Sequence, residues 1–214
     1  SLAPSEMCIR DSPTGIGDTL ILTAGSCDKA LRSVETNDSI TVIKNKESQA
    51  IIGINIFNIS DHLEIDGQGQ VFLTDDQVVT INQLLKKANF DFEVTVDNQP
   101  KFVVGEVEEC VDHEDSDHLH ITKTRVAPDE VLQIVCGAPN IAQGLKVLVA
   151  KTGAVIPSGM IIWPGELRGV SSYGMICSTR ELGLEDIENY PGIWELSSKF
   201  EPGTPLDQVV EFYR

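Results

Sequence analysis

Residues 133–184, QIVCGAPNIAQGLKVLVAKTGAVIPSGMIIWPGELRGVSSYGMICSTRELGL, leave few folds open to their half of the chain. Short β-branched runs alternate with glycine and proline, so no run is long enough for a helix, and each is bounded by turn residues. Strands are expected at 102–111, 119–126, 131–136, 146–150 and 173–177. Five short strands in about 80 residues fit a five-stranded Greek-key barrel of the oligonucleotide- and oligosaccharide-binding type, the OB-fold. Closure also removes the exposed edges that an open sheet has to protect. A late strand at 193–196 is expected to pack outside that barrel.

The first half mixes strands with one helix. Residues 19–23, 40–43 and 50–57 are rich in β-branched side chains, and the polar turn 45–48 makes the last two a hairpin. Thr74 with Gln77 three positions later forms a capping box, and Val78, Ile81, Leu84 and Leu85 follow as one apolar stripe at helical spacing. Lys86 and Lys87 favour the carboxyl end of that helix electrostatically. A further strand is expected over 92–96. The polar DNQPK that follows marks a boundary, because Pro100 restricts Gln99 and removes a donor. The fold expected is therefore an α+β N-terminal domain, 14–97, followed by an all-β OB-fold barrel domain, 101–214, with its core at 102–184.

The chain of 214 residues carries 33 acidic and 16 basic residues, a formal charge of -17. Residues 1–99 hold 7 basic and 15 acidic groups, residues 100–214 hold 9 and 18, so neither half is a basic arm. Nucleic-acid affinity comes largely from cations that neutralise phosphates, and any such contact here needs a local patch. The one long apolar run, 50–57, is far short of the roughly 20 residues that cross a bilayer. No membrane association is expected. The first twelve residues lack a basic start and an apolar centre, which argues against a secretory signal; they are expected to be loose. Five scattered cysteines without a Cys-x-x-Cys pair fit a reducing cytoplasm.

Three imidazoles and three carboxylates crowd HEDSDHLH, residues 113–120. They read as a solvated loop, as part of a ligand site through His118, or as a divalent-metal site serving a metal-dependent hydrolase. Cys136 reads as a packed thiol, since no histidine lies near it in sequence. Asn140, in the turn GAPN, can close that turn on its own backbone or read a base edge. The Arg168 guanidinium suits a phosphate, with pairing to Glu166 as the alternative. Ser172 can donate to a phosphate or base, Met175 can lie under a base or fill a core, and Trp163 and Tyr173 are stacking platforms or packing residues. Lys123, Arg125, Lys151, Arg168 and Arg180 are the local positives. Neither nucleotide-binding glycine motif nor a Gly-x-Ser-x-Gly elbow occurs.

Residues 102–184 resemble the tRNA-binding barrel near the N-terminus of the bacterial phenylalanyl-tRNA synthetase beta subunit, through VGEV, QIVCGAPNIAQGLKVLVAKTGAVIPSG and ELRGVSSYGMICSTRELGL. With the preceding α/β segment, the whole arrangement resembles the free-standing YtpR family of tRNA-binding proteins. The resemblance implies binding of tRNA or another structured RNA without aminoacylation, catalysis, cofactor or metal. It carries over Asn140, Arg168, Ser172 and Met175 as contact positions, with His118, Lys123 and Lys151 beside them. In the family pattern His is followed by Pro, a spacer, Ala, Asp, Lys and Leu; His113, Asp117 and Leu119 match, while Glu114, Ser116 and His118 replace Pro, Ala and Lys. The substitution at His118 removes a phosphate contact. A protein-interaction or dimerisation module is the alternative, with the N-terminal domain as the place for a homodimer contact or a protein partner.

Overall fold

A computed structural model describes residues 2–5, 7–10, 17–67, 69–187 and 190–214. The chain divides into two compact units, 1–99 and 100–214.

The first unit is built on a six-stranded sheet. In chain order its elements are β1 (Leu2–Ser5), β2 (Met7–Arg10), β3 (Thr19–Thr23), β4 (Arg32–Asn37), β5 (Ile40–Asn45), β6 (Ile51–Phe57), β7 (Gly69–Val71), α1 (Asp75–Lys87) and β8 (Glu93–Val96). The sheet order is β4-β5-β6-β3-β2-β7, and β1 pairs separately and in parallel with β8. The start of the chain, expected to be loose, thus pairs over 2–5 and 7–10; residues 1, 6 and 11–16 lie outside the described residues. Alternation in β3 and β5 places Leu20, Leu22, Ile40 and Val42 in the core, where Ile54 and Ile56 of β6 meet them. The capping box at the start of α1 is complete: Thr74 Oγ1 accepts from the Gln77 amide at 3.2 Å, and Gln77 Oε1 accepts from the Thr74 amide at 2.9 Å. The apolar stripe of α1 brings Ile81 and Leu85 onto the same core.

The second unit contains β9 (Phe102–Asp112), β10 (His120–Ala127), β11 (Glu130–Cys136), β12 (Lys146–Ala150), β13 (Gly165–Leu167), β14 (Val170–Ser172), β15 (Met175–Cys177), β16 (Glu195–Leu196) and α2 (Leu206–Tyr213). Its principal sheet runs β11-β10-β9-β12-β15, with β16 also on β12. The expected closed barrel is not formed, which corrects the OB-fold reading: among the described residues no ladder joins β15 back to β11. The physical reason lies in the chain just before β15. There the Val135 amide donates to the Ser172 hydroxyl, at 3.0 Å, instead of a strand carbonyl, and one backbone bond follows, from the Tyr173 amide to the Gln133 carbonyl at 2.8 Å. With a side-chain bond from Gln133 Nε2 to the Ser171 carbonyl beside them, these isolated bonds of different kinds do not extend into a ladder.

Strand β12 explains why the sheet needs cover on both faces. Val147, Leu148, Val149 and Ala150 are all fully buried, a continuous apolar run rather than an alternating one. Val147 and Val149 join a core with Val107, Ile134 and Ile176. Leu148 and Ala150 join a second, with Trp194, Leu196 and Val209 of the C-terminal extension. The extension is therefore part of the core, with α2 and β16 supplying the second layer.

Candidate nucleic-acid interface

The two sequence segments that carry the candidate residues meet in space. Strands β13 and β14 form a hairpin whose turn is Arg168-Gly169, both in the left-handed region with φ of 48° and 81°. This hairpin is tied to the 113–118 loop twice. His113, buried, accepts the Asp115 amide on Nδ1 at 3.0 Å, so its other nitrogen carries the proton and donates to the Leu167 carbonyl at 3.2 Å. Arg168 donates through Nη1 to the Asp115 carbonyl at 2.6 Å. His113 is thus a structural clasp.

The other imidazoles of that cluster face elsewhere. His118 is exposed, with Nδ1 3.4 Å from the Ser116 hydroxyl, and His120 Nε2 lies 3.3 Å from Asp112 Oδ1. Among the described residues no group of three or more His, Cys, Asp or Glu side chains is placed to hold a metal ion.

Two of the polar residues carried over from the resemblance are engaged inside the protein. Ser172 is buried, its hydroxyl accepting from the Val135 amide. Asn140 donates from Nδ2 to the Ile193 carbonyl at 3.0 Å and to Glu195 Oε1 at 2.8 Å, and accepts from the Ile193 amide on Oδ1 at 2.9 Å. Met175 is half-buried against the second core. Trp163 is half-buried, whereas Tyr173 is 44% exposed.

The cations of the second unit sort by the charge of their partners. Arg125 pairs with Glu108 at 2.5 Å, Lys146 with Glu106 at 2.6 Å, Lys151 with Glu130 at 3.1 Å and Arg214 with Asp186 at 2.5 Å. The Asp186–Arg214 hydrogen bond holds the Asp186 carboxyl below its ordinary range and raises the guanidinium. Lys199 lies 3.3 Å from the centre of the Phe212 ring. Lys123 and Arg168 have neutral partners instead: Lys123 Nζ donates to Gln133 Oε1 at 2.7 Å, and Gln133 in turn donates to the Ser171 carbonyl at 2.8 Å. Arg180, exposed, makes no side-chain hydrogen bond or ion pair among the described residues.

Arg180 stands at a cleft of about 330 Å³ lined by Gly137, Ala138, Met175, Glu181 and Gly192. The turn that presents it is fixed by Ser178 and Glu181, a capping-box pair: Glu181 Oε2 accepts from the Ser178 amide at 2.8 Å and its hydroxyl at 2.9 Å, and Ser178 Oγ accepts from the Glu181 amide at 3.2 Å. The candidate residues chosen from sequence did not include Glu181 or Gly192; the spacing Ser-Thr-Arg-Glu was the available signal for the first. Cys136 and Cys177 lie in the two cores, and burial pushes both thiols up, Cys177 to about 12. In the first unit a groove of about 550 Å³ runs beside Lys86 and Phe90, but its Asn82 is committed to Val94, accepting its amide at 2.7 Å and donating to its carbonyl at 3.0 Å.

Comparison with known proteins follows the same division. Residues 102–205 match the model described as "Putative tRNA binding domain", and residues 28–97 match "Domain of unknown function (DUF4479)". The chain belongs to the YtpR family: it is 44% identical over 189 residues to the Bacillus subtilis (strain 168) protein described as "Putative tRNA-binding protein YtpR", covering 88% of this chain and 94% of that one. Against the phenylalanine–tRNA ligase beta subunit of Chromobacterium violaceum it is 46% identical over 112 residues, which is 50% of this chain and 14% of that subunit. A crystal structure of a MetRS-related protein from Pyrococcus horikoshii aligns at TM-score 0.35 and 19% identity, over 48% of this chain and 85% of that one. That Bacillus subtilis relative is described as a tRNA-binding protein. No helix among the described residues is long and apolar enough to cross a membrane.

Proposed function

We propose that the second unit binds tRNA or another folded RNA without catalysis, through the surface that runs from the β13–β14 hairpin to the cleft at Arg180. The observation that carries this reading is the sorting of its cations. Arg125, Lys146, Lys151 and Arg214 sit against carboxylates, whereas Lys123 and Arg168 are held by neutral groups. A cation held in place by a neutral acceptor keeps its charge for an incoming phosphate and loses less rotamer freedom on binding it. Relatives named for tRNA binding or tRNA ligation support the same reading. Asn140 and Ser172 serve it by holding the surrounding turns, while His118 and the exposed Tyr173 ring are available to bases.

The test is a titration of the full chain against total tRNA, an unstructured RNA and duplex DNA over a range of salt. Preference for tRNA is expected, with a slope against log salt that falls by roughly 0.7 to 0.9 in Lys123→Ala and again in Arg168→Ala. Equal or absent binding to all three nucleic acids would defeat the proposal. The first unit is where we place a homodimer contact or a protein partner, because β4 is an edge strand of its sheet and mostly exposed, with Val34 64% exposed. Light scattering of the chain with Val34→Lys tests that assignment.

A further inference from the structure

The cleft at Arg180 differs in kind from the phosphate-facing surface beside it. Gly137 and Gly192 give it walls of bare backbone, Ala138 adds only a methyl, and Met175 gives it a polarisable apolar face. At about 330 Å³ it is at the lower end of small-molecule pockets, roughly 300–1,000 Å³, a size for one heterocycle and not for a base pair. Its charged lining is a pair. Arg180 brings donors with no partner among the described residues, and Glu181 spends Oε2 on Ser178 while Oε1 makes no hydrogen bond among them. Because the Ser178 amide and hydroxyl both donate to Oε2, Glu181 is held in place before any ligand arrives.

A lone anion would find Arg180 attractive and Glu181 repulsive, so the pair is a poor phosphate site. A nucleobase suits it, since every Watson–Crick edge presents a donor beside an acceptor and carries no net charge. From this we infer that the cleft takes a single unpaired nucleobase of the bound RNA by its Watson–Crick edge, with Arg180 donating, Glu181 accepting and Met175 against the ring. This inference rests on the RNA-binding proposal and deepens it: the site reads a base that is splayed out of the fold, as single-stranded segments allow and duplexes do not.

The experiment measures affinity of the full chain for a tRNA transcript and for oligo(A), oligo(C) and oligo(U) against salt, for the parent chain, Arg180→Ala, Glu181→Gln and Lys123→Ala. Arg180→Ala and Glu181→Gln are each expected to weaken tRNA binding about tenfold with an unchanged salt slope, in the range of a lost bidentate base contact. Glu181→Gln keeps an oxygen for Ser178 but offers the cleft an N–H₂, so it should also reorder the three oligonucleotides. Lys123→Ala should instead flatten the slope. If Arg180→Ala flattens the slope as Lys123→Ala does, and Glu181→Gln strengthens all RNAs alike, the cleft is a phosphate site and the inference fails while RNA binding stands. Absence of RNA binding by the parent chain removes both. Thermal melts of each variant separate loss of binding from loss of fold.

Discussion

Asn140 holds Ile193 by both of its backbone polar groups, accepting its amide at 2.9 Å and donating to its carbonyl at 3.0 Å across 53 positions of sequence. The carboxamide thereby acts as a one-residue strand, and it closes the chain around the cleft. Asn140→Ala leaves both groups of Ile193 without their partner, which should cost on the order of 2–3 kcal/mol in urea unfolding. Gly192 is part of the same contact: its φ is 102°, and a Cβ there would lie 2.0 Å from Asn140 Oδ1. Gly192→Ala should therefore be severe in the parent chain and milder in the Asn140→Ala background, a non-additivity that a double-mutant cycle reads directly. Additive effects would show that the two residues do not share a contact.

Ser172→Ala should lower stability by about 1–2 kcal/mol, because the buried Val135 amide loses its acceptor. Affinity for RNA should be unchanged under conditions where the variant is folded. A selective loss of binding without loss of stability would place the hydroxyl at the ligand after all.

Much of this was legible in the chain, and what was not has physical reasons. The helix after Thr74 announces itself because capping box, stripe and terminal lysines agree. Strands β9, β10, β11 and β12 appear because runs of β-branched residues end at turn residues. Strand β4 does not: it is an edge, nearly all exposed, so RSVETN has no apolar alternation to betray it. Closure is not legible because alternation defines faces and not partners; just before β15 the Val135 amide of β11 is taken by the Ser172 hydroxyl, a partner that no strand pattern announces. The role of Asn140 was open for the same reason, since a carboxamide that grips Ile193 and one that reads a base look alike in sequence.

Lys151 illustrates why a lysine near a matching segment is not yet a contact. It lies 3.1 Å from Glu130, so the pair presents little net charge. The double variant Lys151→Ala/Glu130→Ala should bind tRNA as the parent chain does, whereas Lys123→Ala should not. Equal losses in both would mean that the whole field of the unit, and not individual cations, governs binding.

Residues 100–214 should fold alone, because both cores of the second unit are completed from within it, including Trp194 and Val209 of the extension. Limited proteolysis is expected to cut near 97–101 and release a fragment with a cooperative melt. A fragment ending at 184 should not fold, since it lacks β16 and α2 over β12. A cooperative melt from the shorter fragment would show that the extension is not needed.

Alkaline pH should expose the buried thiol at Cys177. Burial is the first cause of its upward shift to about 12, with the Glu181 charge second. A free thiol titrates near 8.5, so in the unfolded chain it ionises first. The folded state then binds the proton more tightly than the unfolded one, and stability present in full below about pH 8.5 is lost as pH rises toward the folded value. Each pH unit within that window removes on the order of 1.4 kcal/mol from this group. Urea unfolding at pH 7.5, 9.5 and 10.5 should show the decline in the parent chain. Cys177→Ala should begin less stable, from the small cavity, but fall less steeply, the remaining slope including Cys136 and Cys110, which burial also raises. If the two pH profiles run parallel, the thiol at Cys177 ionises no later in the folded chain than in the unfolded one, and its burial has no titration consequence.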